Sequence, residues 1–223
     1  MEKIKAFIIM FNRFTWAKNL AEYMSDTGCE VIFIDNNSTY PPLLEWYKTA
    51  PYKIHKFKEN RLAFDFWYKD VLKDYDCRYY IVTDPDLDIS HIPKDYLEIL
   101  FKGLKSNPDK WKSGFSLEIN DLPDNEYTKV IIEWEKMFWN APTDENGFYM
   151  VDLATTFALY DREKRVENYY SGVRSPRPYT AKHLPWYLTE EKILNNPEEL
   201  FYLNNSPFNG WVKHWEYILN EKS

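Results

Sequence analysis

Short apolar runs alternate with amphipathic segments through the first half of this chain. The apolar runs predict buried strands at residues 4–11, 31–34, 52–57 and 79–83. The segments between them carry helix signals, so strand and helix follow each other in turn. Because parallel strands need crossover helices, this order predicts an α/β fold with a central, mostly parallel sheet flanked by helices.

The helix signals lie at defined positions. Thr15 is expected to cap a helix that Gly28 ends. The apolar face of that helix consists of Ala17, Leu20, Ala21 and Met24. Pro41 is expected to begin a short helix, and residues 62–72 and a segment from Pro93 are also predicted to be helical.

The second half of the chain is less regular. Strands are predicted at residues 114–119 and 150–160, and helices at residues 126–139 and around Trp211, Trp215 and Ile218. Residues 168–187 are rich in proline, arginine and tyrosine and show no period, which indicates an irregular segment, either a functional loop or a disordered one. Since no segment has the composition of a linker, one domain is expected over residues 1–223, with halves at residues 1–106 and 107–223.

The composition favours a globular protein and excludes some ligands. Hydrophobic residues make up 44% of the chain and aromatic residues 18%, which is enough for a sizeable core. The net charge of −7 argues against a nucleic-acid partner, because such proteins carry basic surfaces. The two cysteines have no metal-site spacing, and the first apolar run is too short to span a membrane. We therefore expect a cytoplasmic protein without a transmembrane segment.

Three carboxylates follow the fourth predicted strand. Asp84, Asp86 and Asp88 occupy alternate positions and repel one another. A hard divalent cation such as Mn²⁺ or Mg²⁺ relieves that repulsion and prefers oxygen ligands. The alternative is a turn with solvated acids. A calcium-binding EF-hand loop is excluded, because its glycine and glutamate positions hold Ile89 and Asp95.

Polar residues also follow the first two predicted strands. Arg13 follows the first, and Asp35 and Asn36 end the second. Ligands of open α/β sheets bind beyond the carboxyl ends of the strands, so these side chains are expected to converge there. Asp35 is suited to bind a ribose hydroxyl or a base N–H, with an Asx-turn as the structural alternative.

Later in the chain, further side chains are candidates for chemistry. His183 lies among prolines and aromatic residues and is suited to complete a metal shell, although a lone histidine is often structural. Glu118 and Asp121 follow a predicted strand, where either a general base or a solvated surface acid is expected. We take Asp121 as the first candidate base and Glu118 as the second.

These segments resemble those of GT-A-fold, family 2-like glycosyltransferases, especially small ones from bacteria and large DNA viruses. The strings that carry the resemblance are FNR at residues 11–13, DNNSTYPPLL at 35–44 and TDPD at 83–86, with residues 116–123, 152–160 and 181–187 extending it. The resemblance implies nucleotide-sugar contacts from Phe11, Asn12, Arg13, Asp35, Asn36, Arg61, Asp84 and Pro85. It also implies a Mn²⁺ or Mg²⁺ site formed by Asp84, Asp86 and His183. The Glu-Asp pair that often follows the last strand in that family is not found.

The resemblance implies transfer of a sugar from a uridine or deoxythymidine diphosphate-sugar to a glycan or another hydroxyl acceptor, with residues 1–106 as the nucleotide-binding half and residues 107–223 as the acceptor-binding half. The aromatic candidates for the sugar site are Trp134, Trp139, Trp186 and Tyr187, and the alternative for each is packing in the core. One alternative is a sugar-phosphate nucleotidyltransferase, which would normally carry a glycine-rich loop where residues 12–16 have no glycine. The other alternative is a carbohydrate-binding protein without catalysis.

Overall fold

The structure of the chain is a computed structural model that describes residues 3–60, 66, 71–154, 156–164 and 168–206. In chain order, the strands are β1 (Ile4–Met10), β2 (Cys29–Asp35), β3 (Lys53–Lys56), β4 (Tyr79–Thr83), β5 (Leu87–Asp88), β6 (Lys112–Gly114), β7 (Ser116–Leu117), β8 (Ala158–Asp161), β9 (Gly172–Arg174) and β10 (Thr180–His183). The helices are α1 (Thr15–Asp26), α2 (Pro41–Trp46), α3 (Tyr96–Ser106), α4 (Glu126–Trp139), α5 (Glu190–Leu194) and α6 (Pro197–Asn205).

A seven-stranded sheet forms the centre of the fold, in the order β3-β2-β1-β4-β8-β6-β9. The first four strands of the chain are parallel to one another, and β6 is parallel to β9, whereas β8 is antiparallel to both β4 and β6. The predicted α/β class and mostly parallel, helix-flanked sheet are therefore confirmed. The order of β3, β2, β1 and β4 places three predicted ligand-binding loops along one edge of the sheet.

Strands β1, β2 and β4 contain continuous apolar runs because both faces of the sheet are covered. In β1, the side chains of Ala6, Ile8 and Met10 enter one core cluster, whereas Phe7 and Ile9 enter another. The same alternation occurs in β2, since successive side chains of a strand point to opposite faces. Continuous apolar runs are typical of parallel strands that are buried in this way.

Helix α1 has the predicted apolar face, but its predicted cap is wrong. The buried residues of this helix are Ala17, Leu20, Ala21 and Met24. Phe14, rather than Thr15, is the N-cap residue, and its side chain makes no capping hydrogen bond. Glu198 from α6 instead accepts hydrogen bonds from the first backbone N–H groups of α1. A carboxylate from a distant part of the chain thus replaces the local cap.

The second half differs most from expectation. The region predicted as one strand at residues 114–119 contains the end of β6, in the seven-stranded sheet, and β7, in a second sheet. Of the strand predicted at residues 150–160, only the last part is a strand, which is β8. Residues 168–187 contain β9, β10 and a 3-10 helix, Leu184–Tyr187, so the expected irregular loop is wrong. These short strands are held by long-range pairing, which leaves no local period. Most of the helix predicted at 62–72, and the whole terminal helix with Trp211, Trp215 and Ile218, lie outside the described residues.

A small second sheet, in the order β5-β10-β7, lies beside the acidic turn after β4. Strand β10 pairs with β5 in antiparallel fashion and with β7 in parallel. The backbone N–H of Leu184 also donates to the carbonyl oxygen of Asp86 over 2.9 Å. This sheet therefore attaches residues near 183 to the acidic turn. Across the ranges that the structure describes, no helix is long and apolar enough to cross a lipid bilayer.

Gly114 is required where β6 passes against β8. A Cβ atom at this position would overlap the Leu153 side chain and the carbonyl oxygen of Phe157. We predict that Gly114→Ala lowers the free energy of unfolding by about 1–3 kcal/mol, the usual cost of overpacking a core. Chemical denaturation measures the change. Val130→Ala, at a helix position that is 71% exposed, is the control and should change stability little. Equal stability of Gly114→Ala and the parent would contradict the tight approach.

Candidate functional site

The loops after β1 and β2 are tied together by Asn12. Its backbone has a φ of 53°, in the left-handed region that asparagine tolerates better than most residues. The backbone N–H of Asn12 donates to the Ser38 hydroxyl over 2.9 Å. Its side-chain oxygen accepts from the backbone N–H groups of Thr39 and Tyr40 over 2.6 and 3.0 Å. The two loops therefore form one ordered rim at the carboxyl edge of the sheet.

Asp35 lies in this rim and holds the loop after β2 through its carboxylate. Its carboxylate accepts from the backbone N–H of Ser38 over 2.9 Å and from the Tyr47 hydroxyl over 2.7 Å. Burial raises the pKa of Tyr47, and the charge of Asp35 raises it further, so the phenol stays a donor. Asp35 is only 1% exposed, and its contact with a nucleoside stays a prediction.

Two buried amide atoms in the same rim have no hydrogen-bond partner among the described residues. Asn12 Nδ2 and Asn36 Oδ1 are inaccessible and make no hydrogen bond to any described residue. Buried polar atoms in proteins are almost always hydrogen-bonded, so each such exception needs an explanation. One atom is a donor and the other an acceptor, and both lie on the loops that follow adjacent strands.

The first two acids of the acidic turn have different neighbours, with Pro85 between them. Burial is the main cause that raises the pKa values of the phenols Tyr160 and Tyr169, and the charge of Asp84 raises both of them further. Asp86 instead lies 3.8 Å from Arg13 and 3.7 Å from His183. The predicted set of Asp84, Asp86 and His183 is thus only partly brought together. The place of Asp84 in a metal shell stays a prediction.

Arg13 is enclosed by charged and aromatic side chains. Its Nη1 donates to Glu199 over 2.6 Å, and its Nε lies 3.8 Å from Asp86 Oδ2. Its guanidinium stacks on the rings of Trp16 and Tyr202, at 4.4 and 3.8 Å. Burial alone would lower the pKa of Arg13, but the two carboxylates outweigh it and raise that pKa, so the charge is permanent. Its predicted interaction with a nucleoside stays a prediction.

His183 meets Asp86 from the other side. The His183 Nε2 is 3.7 Å from Asp86 Oδ1, and the ring lies 4.8 Å from that of Trp186. Burial lowers the pKa of His183; the Asp86 charge opposes this, whereas the Arg13 charge adds to it. The imidazole is therefore neutral at neutral pH, which is the form that binds metal ions.

The Asp86–His183 pair fits a divalent cation. Asp86 Oδ1 is buried and accepts no hydrogen bond from the described residues, so a lone pair is available on that oxygen. Among the residues that the structure describes, no group of three or more histidine, cysteine, aspartate or glutamate side chains is arranged to hold a metal ion by itself. Mg²⁺ is commonly bound by one or two carboxylates together with waters and substrate phosphates. The pair suits such a shared site better than a closed structural one.

The two predicted bases lie on the other face of β10. Asp121 accepts hydrogen bonds from Lys182 and from the Tyr187 hydroxyl, and Glu118 accepts from Arg177 and Thr180. Because neighbouring side chains of a strand point to opposite faces, Lys182 and His183 face opposite ways. Asp121 therefore lies across the strand from the Asp86–His183 pair. The catalytic roles of Asp121 and Glu118 stay predictions.

Glu198 and Glu199 were missed by the sequence analysis. Glu198 binds the N-terminus of α1, and Glu199 binds Arg13, across separations of 184 and 186 residues. Two acids in the first turn of a helix are ordinarily explained by the helix dipole alone. Asn196 and Pro197 do mark the start of α6, but no local signal indicates what the following acids contact.

The other predicted site residues are spread around this centre. Phe11 is partly buried at the end of β1, and Arg61 lies outside the described residues. Trp186 is 2% exposed, Trp134 is 52% exposed, and the Trp139 indole donates to the Leu117 carbonyl oxygen. A groove of about 400 Å³ beside the site is lined by Trp16, Asn19, Leu20, Tyr23, Leu87, Asp88, Ile89, Ser90 and Leu184.

Comparison with solved structures identifies the fold. No protein-family model matches the chain, and no curated protein matches it. The chain is similar to residues 1–349 of S. aureus TarS, a GT-A glycosyltransferase, with a TM-score of 0.50 and 13% identity. That similarity covers 97% of this chain and 69% of the TarS chain. The implied GT-A-like fold is thereby confirmed, and at this identity the similarity shows the fold alone.

Two nucleotide-linked synthetases score lower. One is a CMP:2-keto-3-deoxy-manno-octonic acid synthetase complexed with CTP, with a TM-score of 0.47 and 10% identity over 73% of this chain and 75% of that one. The other is a 4-diphosphocytidyl-2C-methyl-D-erythritol synthase from Anaerococcus prevotii, with a TM-score of 0.40 and 8% identity over 73% of each chain. Neither similarity supports a conclusion about the chemistry of this chain.

The charge environment of Glu118 is testable through Arg177. Burial alone would raise the pKa of Glu118, but the Arg177 hydrogen bond and neighbouring N–H and hydroxyl donors lower it below its usual range. The stability that this carboxylate contributes is therefore present above its unfolded pKa and is lost as pH falls through the lower folded pKa. We predict that Arg177→Ala raises the Glu118 pKa and reduces the loss of folding stability at acid pH. A carboxyl NMR titration measures the pKa, with the exposed Glu126 as the control.

Proposed function

We propose that this protein is a metal-dependent glycosyltransferase that moves a sugar from a uridine or deoxythymidine diphosphate-sugar to a hydroxyl of a glycan. The observation that carries the proposal is the Asp86–His183 pair, with the Oδ1 atom of Asp86 buried, at the carboxyl edge of a GT-A-like sheet. Ligands of open α/β sheets bind at that edge. An acidic chain also needs a local cation if it is to bind a diphosphate.

Asp86 and His183 are the residues that would hold Mn²⁺ or Mg²⁺. A bound divalent cation supplies Lewis-acid stabilisation of the diphosphate leaving group. Asp86 offers a buried oxygen without a hydrogen bond to the described residues, and His183 offers a neutral imidazole. The Trp186 ring packs against this imidazole, with the ring centroids 4.8 Å apart. Asp84 is proposed to act nearby, toward the ribose or the metal.

The rim formed by the loops after β1 and β2 is proposed to read the nucleoside. Uracil and thymine both present a ring N–H flanked by carbonyl oxygens. The Asn12 amide N–H and the Asn36 amide oxygen have no partner among the described residues, and we propose that both side chains turn toward the base to provide the complementary donor and acceptor. Asp35 holds the loop that carries Asn36 by accepting from Ser38, and we propose a further contact with the ribose or base.

The acceptor is proposed to enter along the groove beside α1. Trp16 provides an aromatic surface on which the apolar face of a sugar packs, and Asn19, Asp88 and Ser90 provide polar atoms for its hydroxyl groups. The groove includes Leu87 and Leu184, the residues directly after Asp86 and His183. It therefore begins where the donor sugar would lie.

We predict that Mn²⁺ raises the affinity of the protein for uridine diphosphate and that Asp86→Ala abolishes this gain. The reason is that Asp86 supplies the oxygen that joins the cation to the protein. Titration calorimetry with Mn²⁺ and with a chelator measures the gain. Asp88→Ala is the matched control, because Asp88 belongs to the same acidic turn but accepts from Ser90 and should leave the gain intact. Equal affinity with metal and chelator in the parent would exclude the metal site.

A panel of nucleotide-sugar donors then separates the activities. A glycosyltransferase releases the nucleoside diphosphate, whereas a nucleotidyltransferase forms or consumes pyrophosphate, and a carbohydrate-binding protein does neither. We expect release of uridine or deoxythymidine diphosphate from at least one donor, and loss of this release in Asp86→Ala. Pyrophosphate exchange without diphosphate release would replace the proposal with its nearest rival.

We also predict that Asn36→Ala reduces the preference of the protein for uridine diphosphate over adenosine diphosphate. A neutral hydrogen bond contributes about 0.5–1.5 kcal/mol, so uridine diphosphate affinity should fall roughly two- to tenfold. Adenosine diphosphate affinity should change less, because adenine lacks the ring N–H flanked by carbonyl oxygens. Asn37→Gly, in the same turn, is the control, because glycine adopts the positive φ of 64° at this position without strain. An equal fall for both nucleotides would show that Asn36 supports the loop without reading the base.

A further inference from the structure

Three buried side chains and the partly buried Asp86 form a line of charged and polar groups through the site. Glu199 lies 2.6 Å from Arg13, Arg13 lies 3.8 Å from Asp86, and Asp86 lies 3.7 Å from His183. These residues come from α6, the loop after β1, the acidic turn and β10. The line therefore connects the last described helix to the oxygen proposed to bind a cation.

The Arg13 charge is shielded from water and so depends on these carboxylates. Arg13 is 3% exposed and Glu199 is 2% exposed, and the aromatic rings of Trp16 and Tyr202 lie against the guanidinium. Charges at short range interact more strongly when water is excluded. Glu199 makes the short contact with Arg13, whereas Asp86 makes only a long one. The guanidinium is thus drawn toward α6 and away from Asp86.

We propose that Glu199 is a positioning residue that sets the affinity of Asp86 for its cation by holding Arg13 away from it. This inference rests on the proposed function. With Glu199 charged, Asp86 Oδ1 keeps its lone pairs for a metal. Without that charge, the guanidinium turns to Asp86, forms a direct ion pair with it and competes with the cation. Arg13 and a metal ion then compete for the Asp86 carboxylate, and the charge of Glu199 determines which of them binds it.

Glu198 provides a matched control within the same turn of α6. Its carboxylate accepts from the backbone N–H groups of Phe14 and Thr15 and from the Thr15 hydroxyl. It therefore caps α1, while its neighbour binds Arg13. Glu198→Gln tests the loss of an adjacent buried charge and of a tertiary contact between α6 and α1. It does not release the guanidinium.

The experiment measures the gain in uridine diphosphate affinity that Mn²⁺ provides, by titration calorimetry with Mn²⁺ and with a chelator. We expect Glu199→Gln to reduce this gain about tenfold, within the range usual for coupled sites. Arg13→Met should keep or increase the gain, because the competing cation is removed. The double variant should match Arg13→Met, since Glu199 acts only through Arg13. Glu198→Gln should keep the parent gain despite lower stability.

The outcomes separate this inference from the proposed function. If the parent shows no gain with Mn²⁺, the proposed function fails. A parent gain that persists in folded Glu199→Gln overturns only the positioning role. Equal losses in Glu199→Gln and Arg13→Met also overturn it, because general damage to the site lowers both. If Glu199→Gln does not fold, Arg13→Met decides, since a reduced gain in that variant contradicts competition between Arg13 and the metal.

Discussion

The buried guanidinium of Arg13 is the interaction on which the arrangement of the site depends. A charge enclosed by protein is costly unless carboxylates compensate it. Glu199 and Asp86 provide that compensation from α6 and from the acidic turn, and Trp16 and Tyr202 cover the rest of the group. Removing one partner of a buried ion pair costs about 3–5 kcal/mol, so these segments are strongly favoured to close together.

The same helix performs a second task one residue earlier. Glu198 binds the N-terminus of α1, where unpaired backbone N–H groups attract anions. The adjacent acids of α6 thus hold the loop after β1 at two points. That loop is also joined to the loop after β2 through Asn12. The rim is therefore preorganised, and a ligand that binds there need not order it.

Candidate functional residues lie on both faces of the small sheet. His183 faces Asp86, whereas Lys182, its neighbour in β10, binds Asp121 on the opposite face. This alternation separates the residues proposed for metal binding from those predicted as bases. The groove beside Trp16 is lined by Leu87 and Leu184, which follow Asp86 and His183 in the chain, and by Asp88, which pairs with Lys182. Under the proposed function, the face of β10 that the acceptor reaches determines which of these residues it meets.

Local pattern alone determined the buried strands β1, β2 and β4, the apolar face of α1 and the positions of Asp35 and Asp86 at strand ends. These features depend on the order of apolar and polar residues over a short stretch of chain, which is read from the sequence itself. Tertiary structure alone decided that Asp84 and Asp86 have different neighbours, that residues 168–187 supply strands to two sheets, and that Glu198 and Glu199 reach the first loop. Each of these features depends on which distant segments of the chain meet. An acid that only interacts with the helix dipole and an acid that forms a buried ion pair have the same local sequence, so the sequence does not distinguish them.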